Sequence, residues 1–574
     1  MSGTNSNMDK GFLKEVVQME PLQFTREIKA KIELLNRDRV TEPLILVSSG
    51  TSAMVSGAGR TFNAVVDYLK DRNIKAETVR TGSFGLFNAE PVISVQLPGR
   101  ARVSFGNISS EKVTPLLDDI FHNTIPAEYL LGQHRHPLHD AWLDVPFIDE
   151  LPFFRHQTRQ ILKDNGLIDP ASIGEYIAHG GYRAFIKAIR QYTYEEVCDI
   201  VEKSGLRGRS GSGFNTGKKW KVAFYTSSDQ KYLVCNAEES DPGAFMDRAI
   251  MEGNPHLLIE GISIAAYAIG ATKAFIYIRS EYEEAIRNLE KSILSALETG
   301  LLGHNICDSG YNLDIMIRKG PGAFICGEET ALINSLEGKR GMPQTKPPFP
   351  ATLGLNKKPT VINNVETLSN VPLIISKGYK WFSETGTEGN TGTKIFAVSG
   401  KIKITGLVEV PMGTSLNTII NDIAGGPPDN KKLKALHLGG PSGVMIPADY
   451  MNTPVSYDSL AAVGAVLGSG GIIVIDEDTC IVDMVKYFMD FMQKQSCGKC
   501  IPCREGTRRM SEILENISRK PVDETSHTTL ERFKGVMQLE SLATVMTDTS
   551  LCGLGKTAAN PVLSSLRHFR EEYE

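Results

Sequence analysis

Residues 496–507, SCGKCIPCREGT, carry three cysteines at C-x-x-C-x-x-C spacing. Thiolates are soft metal ligands, and three on one tight loop can close on one face of a metal centre. A fourth ligand is then required. Cys552, in SLCGLGKTAANP, is the only cysteine after Cys503 and is the candidate. A cube of four irons takes four thiolates, and one of them can come from a distant part of the chain. All-cysteine zinc sites more often use two C-x-x-C pairs. The spacing therefore favours a [4Fe–4S] cluster on Cys497, Cys500, Cys503 and Cys552, with zinc as the alternative. Cys198, Cys235, Cys307, Cys326 and Cys480 stand singly and read as small buried hydrophobes.

Three glycine-rich loops form a second group. GLRGRSGSGFNTGKKW (205–220) offers backbone amides that can close on phosphate, with Arg207, Arg209, Lys218 and Lys219 beside them. A helix-like run, YEEVCDIVEKS, precedes it, so the strand–loop–helix order of the ordinary dinucleotide fingerprint is not met. A plain basic loop is the alternative. CNAEESDPGAFMDR (235–248) and GPGAFICGEETALINSLEGKRG (320–341) set Glu238, Glu239 and Asp241, then Glu328 and Glu329, next to glycines. Carboxylates suit the hydroxyls of a ribose or ribityl chain. Singly each pair would be a solvated turn; together the three loops point to a nucleotide pocket.

The elements that must position these groups are alternating strands and helices. The first forty residues read as helical, as a short extension. EPLILVSSG, KAETVR, PVISVQLP and ARVSFGNIS read as strands between helices TFNAVVDYLKDRN and EKVTPLLDDIFHN, an α/β unit over 41–131. A Pro- and His-rich joint covers 132–150. The largest α/β unit spans 151–392, with strands KYLVCNAE and KAFIYIRS and the long helix EYEEAIRNLEKSILSALETG. Short β-branched strands and one helix, SLNTIINDIAG, fill 393–466, and 467–574 is largely helical. A length of 574 residues fits roughly four domains. Lys+Arg 62 against Asp+Glu 67 leaves −5, which advertises no nucleic-acid partner. No apolar run reaches a membrane span, and the polar first residues lack a signal-peptide core. The expected location is the cytoplasm.

In their order, GLRGR…GF…TG-x-KW, CNA-E-x-x-D-PGAFMDR, GAFICGEETAL, KPPFPA, PT-x-INNVETL, CGKC-x-PCREGT and CGLG-x-TAANP, these motifs resemble one family over residues 150–574. It is the FMN- and NADH-binding subunit of respiratory complex I, with relatives in NAD-dependent hydrogenases and formate dehydrogenases. DPGAFMDR looks more like the soluble hydrogenase and formate dehydrogenase branch, and the beta subunit of multimeric [FeFe] hydrogenases in particular. The resemblance implies a Rossmann-like FMN/NADH domain, a β-grasp (SLBB-like) domain over 393–466 and a helical bundle carrying the [4Fe–4S] cluster. It places Gly208, Arg209, Gly211 and Lys219 on the phosphates, and Asn236, Glu238 and Asp241 on FMN, with Glu239 near the nicotinamide. Gly327, Glu328 and Glu329 take the NADH side, Asn363, Asn364 and Thr367 the FMN phosphate, and Phe214 and Phe349 flank the adenine. No protein residue is then needed as catalytic acid or base, because a flavin passes electrons between a hydride donor and one-electron carriers.

Ser210, Glu238, Phe324 and Val222 depart from the family's usual Gly, Asp, Tyr and Phe. The larger departure is N-terminal. Hydrogenase-type relatives hold a [2Fe–2S] cluster in a thioredoxin-like domain here, yet the matching positions are Ser48, Ala53, Ser83 and Phe87, and residues 1–197 contain no cysteine. The expectation is a retained fold without its cluster, used for docking. The expected function is a diaphorase subunit exchanging hydride between NAD(H) and FMN and passing electrons to partners. These would be a small [2Fe–2S] thioredoxin-like subunit and a catalytic iron–sulfur subunit of a non-bifurcating hydrogenase. A formate dehydrogenase, an electron-bifurcating complex or a non-catalytic scaffold are the alternatives.

Overall fold

The computed structural model describes residues 10–519 and 526–573. The reading of the chain's first residues as a leader-free start lies outside them. Among the described residues, three sheets of four or five strands, one two-stranded hairpin and a group of helices make up the molecule.

The first sheet has strand order β2-β1-β3-β4-β5: β1 (Leu44–Ser48), β2 (Glu77–Thr81), β3 (Ile93–Gln96), β4 (Val103–Phe105) and β5 (Leu130–Gln133). Only β1 and β2 run parallel. Helices Ala58–Asp71 and Ser110–Phe121 lay Val65, Leu69, Val113 and Leu117 on it. The extension helices Lys10–Gln18 and Arg26–Leu35 pack elsewhere. Their Phe12, Val16 and Leu35 join the core of the large unit.

That unit is built on an all-parallel sheet of order β8-β7-β6-β9, with β6 (Tyr232–Ala237), β7 (Lys273–Arg279), β8 (Asp314–Gly320) and β9 (Thr360–Asn364). Parallel strands need helical crossovers and are covered on both faces. Helix Pro255–Ile269 is accordingly wholly buried and mostly apolar, its few polar side chains including Glu260. Helix Glu283–Glu298, anticipated in the sequence, buries one face, with Ala285, Ile286, Leu289, Ile293 and Ala296 as its apolar residues.

After a hairpin of β10 (Gly386–Thr387) and β11 (Asn390–Thr391), the third sheet comprises β12 (Thr393–Gly400), β13 (Gly406–Pro411), β14 (Leu433–Leu438), β15 (Val444–Pro447) and β16 (Gly471–Asp476) in order β13-β12-β16-β14-β15. Its middle strand β16 is parallel to β12 and antiparallel to β14, so this sheet continues past the boundary read at 466. SLNTIINDIAG forms a wide π-helical turn over Thr418–Ile423 instead of an α-helix. Beyond it, helices Ile481–Gln495, Ile501–Ser518, Ser526–Thr549 and Asn560–His568 share a core of Val485, Phe488, Met510, Leu514 and Val562.

Candidate functional site

The carboxyl ends of the parallel strands converge on one cleft, where open α/β sheets place their ligands. β6 runs into Asn236, Glu238, Glu239 and Asp241, β9 ends at Asn363 and Asn364, and β8 leads to the turn Phe324–Gly327. The cleft has two adjoining chambers of about 670 and 390 Å³ that share Ser210, Asn236, Gly327, Glu328, Asn364 and Gly553.

The outer chamber is lined by Gly208, Phe214, Lys219, Val222, Glu329, Phe349, Asn363 and Thr367. Phe214 and Phe349 are 56% and 58% exposed, leaving ring area free for a flat ligand to stack on. Lys219 Nζ lies 2.6 Å from Glu329 and donates to the Ile362 carbonyl at 2.7 Å. Lys346 lies 3.0 Å from both Glu328 and Glu329. Burial alone would raise Glu329, but the two lysines hold it down at about 2, so the Glu329 carboxylate faces the cleft ionised and fixed.

The inner chamber holds the second acidic set. The Glu238 side chain is 1% exposed and its Oε2 has no hydrogen-bond partner. Burial pushes Glu238 up to about 7 and Glu239 up to about 6. Asp241, raised by burial, accepts from Ser469 at 2.7 Å. Asp247 is raised well above the usual carboxylate range by burial and then by Glu239, and Asn364 donates to it at 2.8 Å. A buried polar wall with an orphaned acceptor matches the ribityl hydroxyls and polar ring edge of a flavin.

Some expected residues work from behind the wall. Arg209 is fully buried, and its guanidinium donates to the carbonyls of Thr391, Thr393 and Arg207. It anchors the glycine loop and lines neither chamber. Thr367 Oγ1 accepts from the Arg209 amide at 2.9 Å and donates to Asn364 at 2.8 Å, tying that loop to the helix Val365–Lys377. Asn363 accepts from Trp220 Nε1 at 2.8 Å, and Asn236 donates to the Gly327 carbonyl at 2.9 Å. Gly211, at φ 102°, lies against Gly468; a Cβ there would sit 2.8 Å from the Gly468 backbone.

That contact brings in a contribution the motifs missed. Gly439, Ser442, Gly468 and Ser469 enter the inner chamber from the third sheet, as do Gly553, Thr557 and Asn560 from the C-terminal helices. LGGPSG (438–443) and LGSGG (467–471) are glycine-rich enough to have flagged these loops.

Cys497, Cys500, Cys503 and Cys552 line one small cavity. Cys500 and Cys552 are the residues immediately before helices Ile501–Ser518 and Gly553–Thr557, and burial raises the Cys552 thiol. The amides of Gly555 and Leu554 reach Cys552. Burial pushes Cys503 up to about 11, offset in part by the Ser496 hydroxyl 3.3 Å away. Among the described residues no three His, Cys, Asp or Glu side chains are placed to hold a single metal ion. A four-iron cube, needing a wider ring than the roughly 2.3 Å Zn–S bond allows, fits this donor set better. Ile325 and Leu554 line both this cavity and the inner chamber, so only side-chain thickness separates the two. Of the remaining cysteines, Cys198, Cys235, Cys307 and Cys326 are buried and Cys480 is exposed.

At the N-terminal loops, Ser48 accepts from the Val92 amide at 2.9 Å, Ser83 donates to Glu90, and Ala53 is buried. Phe87 packs edge-on against Phe245 of the large unit, 5.1 Å between centroids.

Residues 201–373 match the model of the Nuo51 FMN-binding domain, and residues 483–574 the NADH-ubiquinone oxidoreductase-F iron-sulfur binding region. The NADP-reducing hydrogenase subunit HndC of Solidesulfovibrio fructosivorans is 51% identical over 420 residues, 73% of this chain and 84% of that protein. The NADH-quinone oxidoreductase F 2 subunit of Rhizobium meliloti (strain 1021) is 45% identical over 413 residues, 72% and 96%. In overall structure the chain is similar to an NAD+-reducing [NiFe]-hydrogenase in the H2-reduced state, with TM-score 0.63, 26% identity and coverage of 98% of this chain and 92% of that one. Among the described residues no helix is long and apolar enough to cross a membrane. The acidic inner chamber, the aromatic outer one and the four-cysteine cavity thus belong to an oxidoreductase with FMN and a [4Fe–4S] cluster, and the chain is a member of the family of the FMN-binding subunit of NADH-quinone oxidoreductase.

Proposed function

We propose that the chain is the diaphorase subunit of a cytoplasmic NAD-dependent hydrogenase, working with a small [2Fe–2S] subunit and a catalytic iron–sulfur subunit and without bifurcation. The carrying observation is the shared wall of Ile325 and Leu554 between the inner chamber and the cysteine cavity. FMN supplies the exchange between a two-electron hydride donor and one-electron carriers, and the cluster carries single electrons onward.

The chain's own residues bind and orient. Phe214 and Phe349 offer faces to the adenine, and Glu328 and Glu329 offer acceptors to ribose hydroxyls. Carboxylates there support NADH over NADPH, whose 2′-phosphate calls for a cation instead; HndC's name makes the preference worth measuring. Asn236, Glu238 and Asp241 face the flavin, and the side chains of Arg209 and Thr367 hold the glycine loop in register. Leu554 and Ile325 exclude water between the two centres, which favours transfer over leakage to solvent.

The domain names follow the same reading: Rossmann-like for the parallel sheet, β-grasp (SLBB-like) for the third, and thioredoxin-like for the first, with its cluster lost. Phe87 and Ser83, standing at ligand positions, are engaged in packing and hydrogen bonding, which supports a docking role.

The FMN- and iron-loaded chain should bleach its flavin with NADH and reduce a viologen dye. Cys552→Ala should keep the bleaching, lose cluster iron and slow onward reduction. Failure of the fully loaded chain to reduce the dye with NADH would overturn the proposal.

A further inference from the structure

A second cavity, of about 500 Å³, opens at the C-terminal end of helix Val365–Lys377. The amino end of the same helix lines the cleft, so the two sites stand about 20 Å apart along its axis. The walls come from residues 17–21, helix Arg183–Gln191 and the surroundings of Lys163 and Lys377. Nothing in the flavin or cluster chemistry uses them.

Five Lys and Arg side chains line this cavity: Lys163, Arg183, Lys187, Arg190 and Lys377. Arg183, Lys187 and Arg190 follow one another at spacings of four and three on one helix, which puts them on one face. Three carboxylates are present, and their engagements differ. Glu260 accepts from the amides of Tyr182 and Phe185 at 2.8 and 3.0 Å, so it caps that helix and answers none of the cations. Asp164 is shared between His179 at 3.3 Å and Lys163 at 3.7 Å. Glu20 lies near enough to act electrostatically on Arg183 but forms no ion pair with it.

Arg183, Lys187 and Lys377 have no carboxylate partner within ion-pair distance among the described residues. Lys187 donates to the Ile375 carbonyl at 3.0 Å and Arg190 to Gln18 at 2.6 Å, bonds that leave their charges unbalanced. Arg183 lies over the Phe24 ring at 4.7 Å, and its Nε is buried without a hydrogen-bond partner. Lys377 lies 4.2 Å over Trp381. In a chain of net charge −5, such a collection of positive charge in one concavity is a local field that attracts anions.

We propose that this cavity is a binding site for a small phosphorylated anion, of the class of pyrophosphate or the phosphate tail of a nucleotide, separate from the cleft. Multiple cations on converging walls suit a compact polyanion, whose oxygens accept from several donors at once.

Calorimetric titration of pyrophosphate into the FMN- and iron-loaded full chain, saturated with NAD+ to block the cleft, tests this. One binding site is expected, weakened about tenfold or more in Arg183→Ala and in Lys377→Ala and retained in Lys377→Arg and Lys219→Ala. Unchanged FMN and iron contents verify that the Arg183 and Lys377 variants fold, and unchanged iron content does so for Lys219→Ala. Absence of pyrophosphate binding, parental affinity in both alanine variants, or loss in Lys219→Ala would each overturn the proposal.

Discussion

Glu90 shows how a single buried carboxyl can set the pH response of a domain. It is 6% exposed, bonded by Ser83 and pushed by burial up to about 7, despite hydrogen bonds from Ser52 and Ser83. Because its folded value lies above the ordinary 4.5, the fold favours the protonated form. Its contribution is complete below about 4.5 and is lost as pH rises through about 7, a loss on the order of 3 kcal/mol. Glu90→Gln should therefore melt higher than the parent at pH 8 and alongside it at pH 4. Parallel melting curves at both pH values would refute the assignment. The same scale shows what sequence could tell. Glu328, Glu329 and the four cysteines were legible because side-chain type and spacing carry their chemistry. Arg209 was not, since an arginine beside a glycine loop looks the same whether it meets a phosphate or three backbone carbonyls.

At the scale of elements, the five-residue helix Gly553–Thr557 bears on both centres. Gly553 lines the cleft, Leu554 the wall, and Gly555 lies where a Cβ would meet Ser550 at 2.7 Å and the Cys503 Cβ at 3.0 Å. That fit allows no larger residue without moving the cysteine loop. Gly555→Val should cut iron well below the roughly four atoms of a cube while FMN stays bound; full iron with normal visible absorption would exclude the idea. Strands and long helices were readable from period and run length, β6, β7 and Glu283–Glu298 among them. The membership of β16 in the third sheet was not. A strand that pairs with partners some 40 and 75 residues away in sequence carries no local mark of either.

Across the whole molecule, the cleft is a joint product: the parallel sheet supplies its floor, the third sheet the Gly468–Ser469 loop, and the C-terminal helices Asn560. The N-terminal unit touches this assembly along the start of β13, where Gly85, Leu86, Phe87 and Asn88 bond to residues 403–407, and at helix Met246–Gly253, whose first turn carries Asp247. Glu252, near its other end, accepts from the Thr51 amide at 2.9 Å and from the Thr51 hydroxyl, while Phe87 packs on Phe245 just before it. A helix of about 12 Å therefore joins the N-terminal unit to the acidic wall of the inner chamber. Glu252→Ala removes an acceptor from a buried loop and should weaken that interface by about 1–3 kcal/mol. The expected result is faster protease cutting in the joint at 134–150 and lower FMN retention, with iron content unchanged because the cysteine cavity lies beyond the helix's reach. Cutting at the parental rate would mean that Phe87 and its neighbours hold the unit without the Glu252 latch.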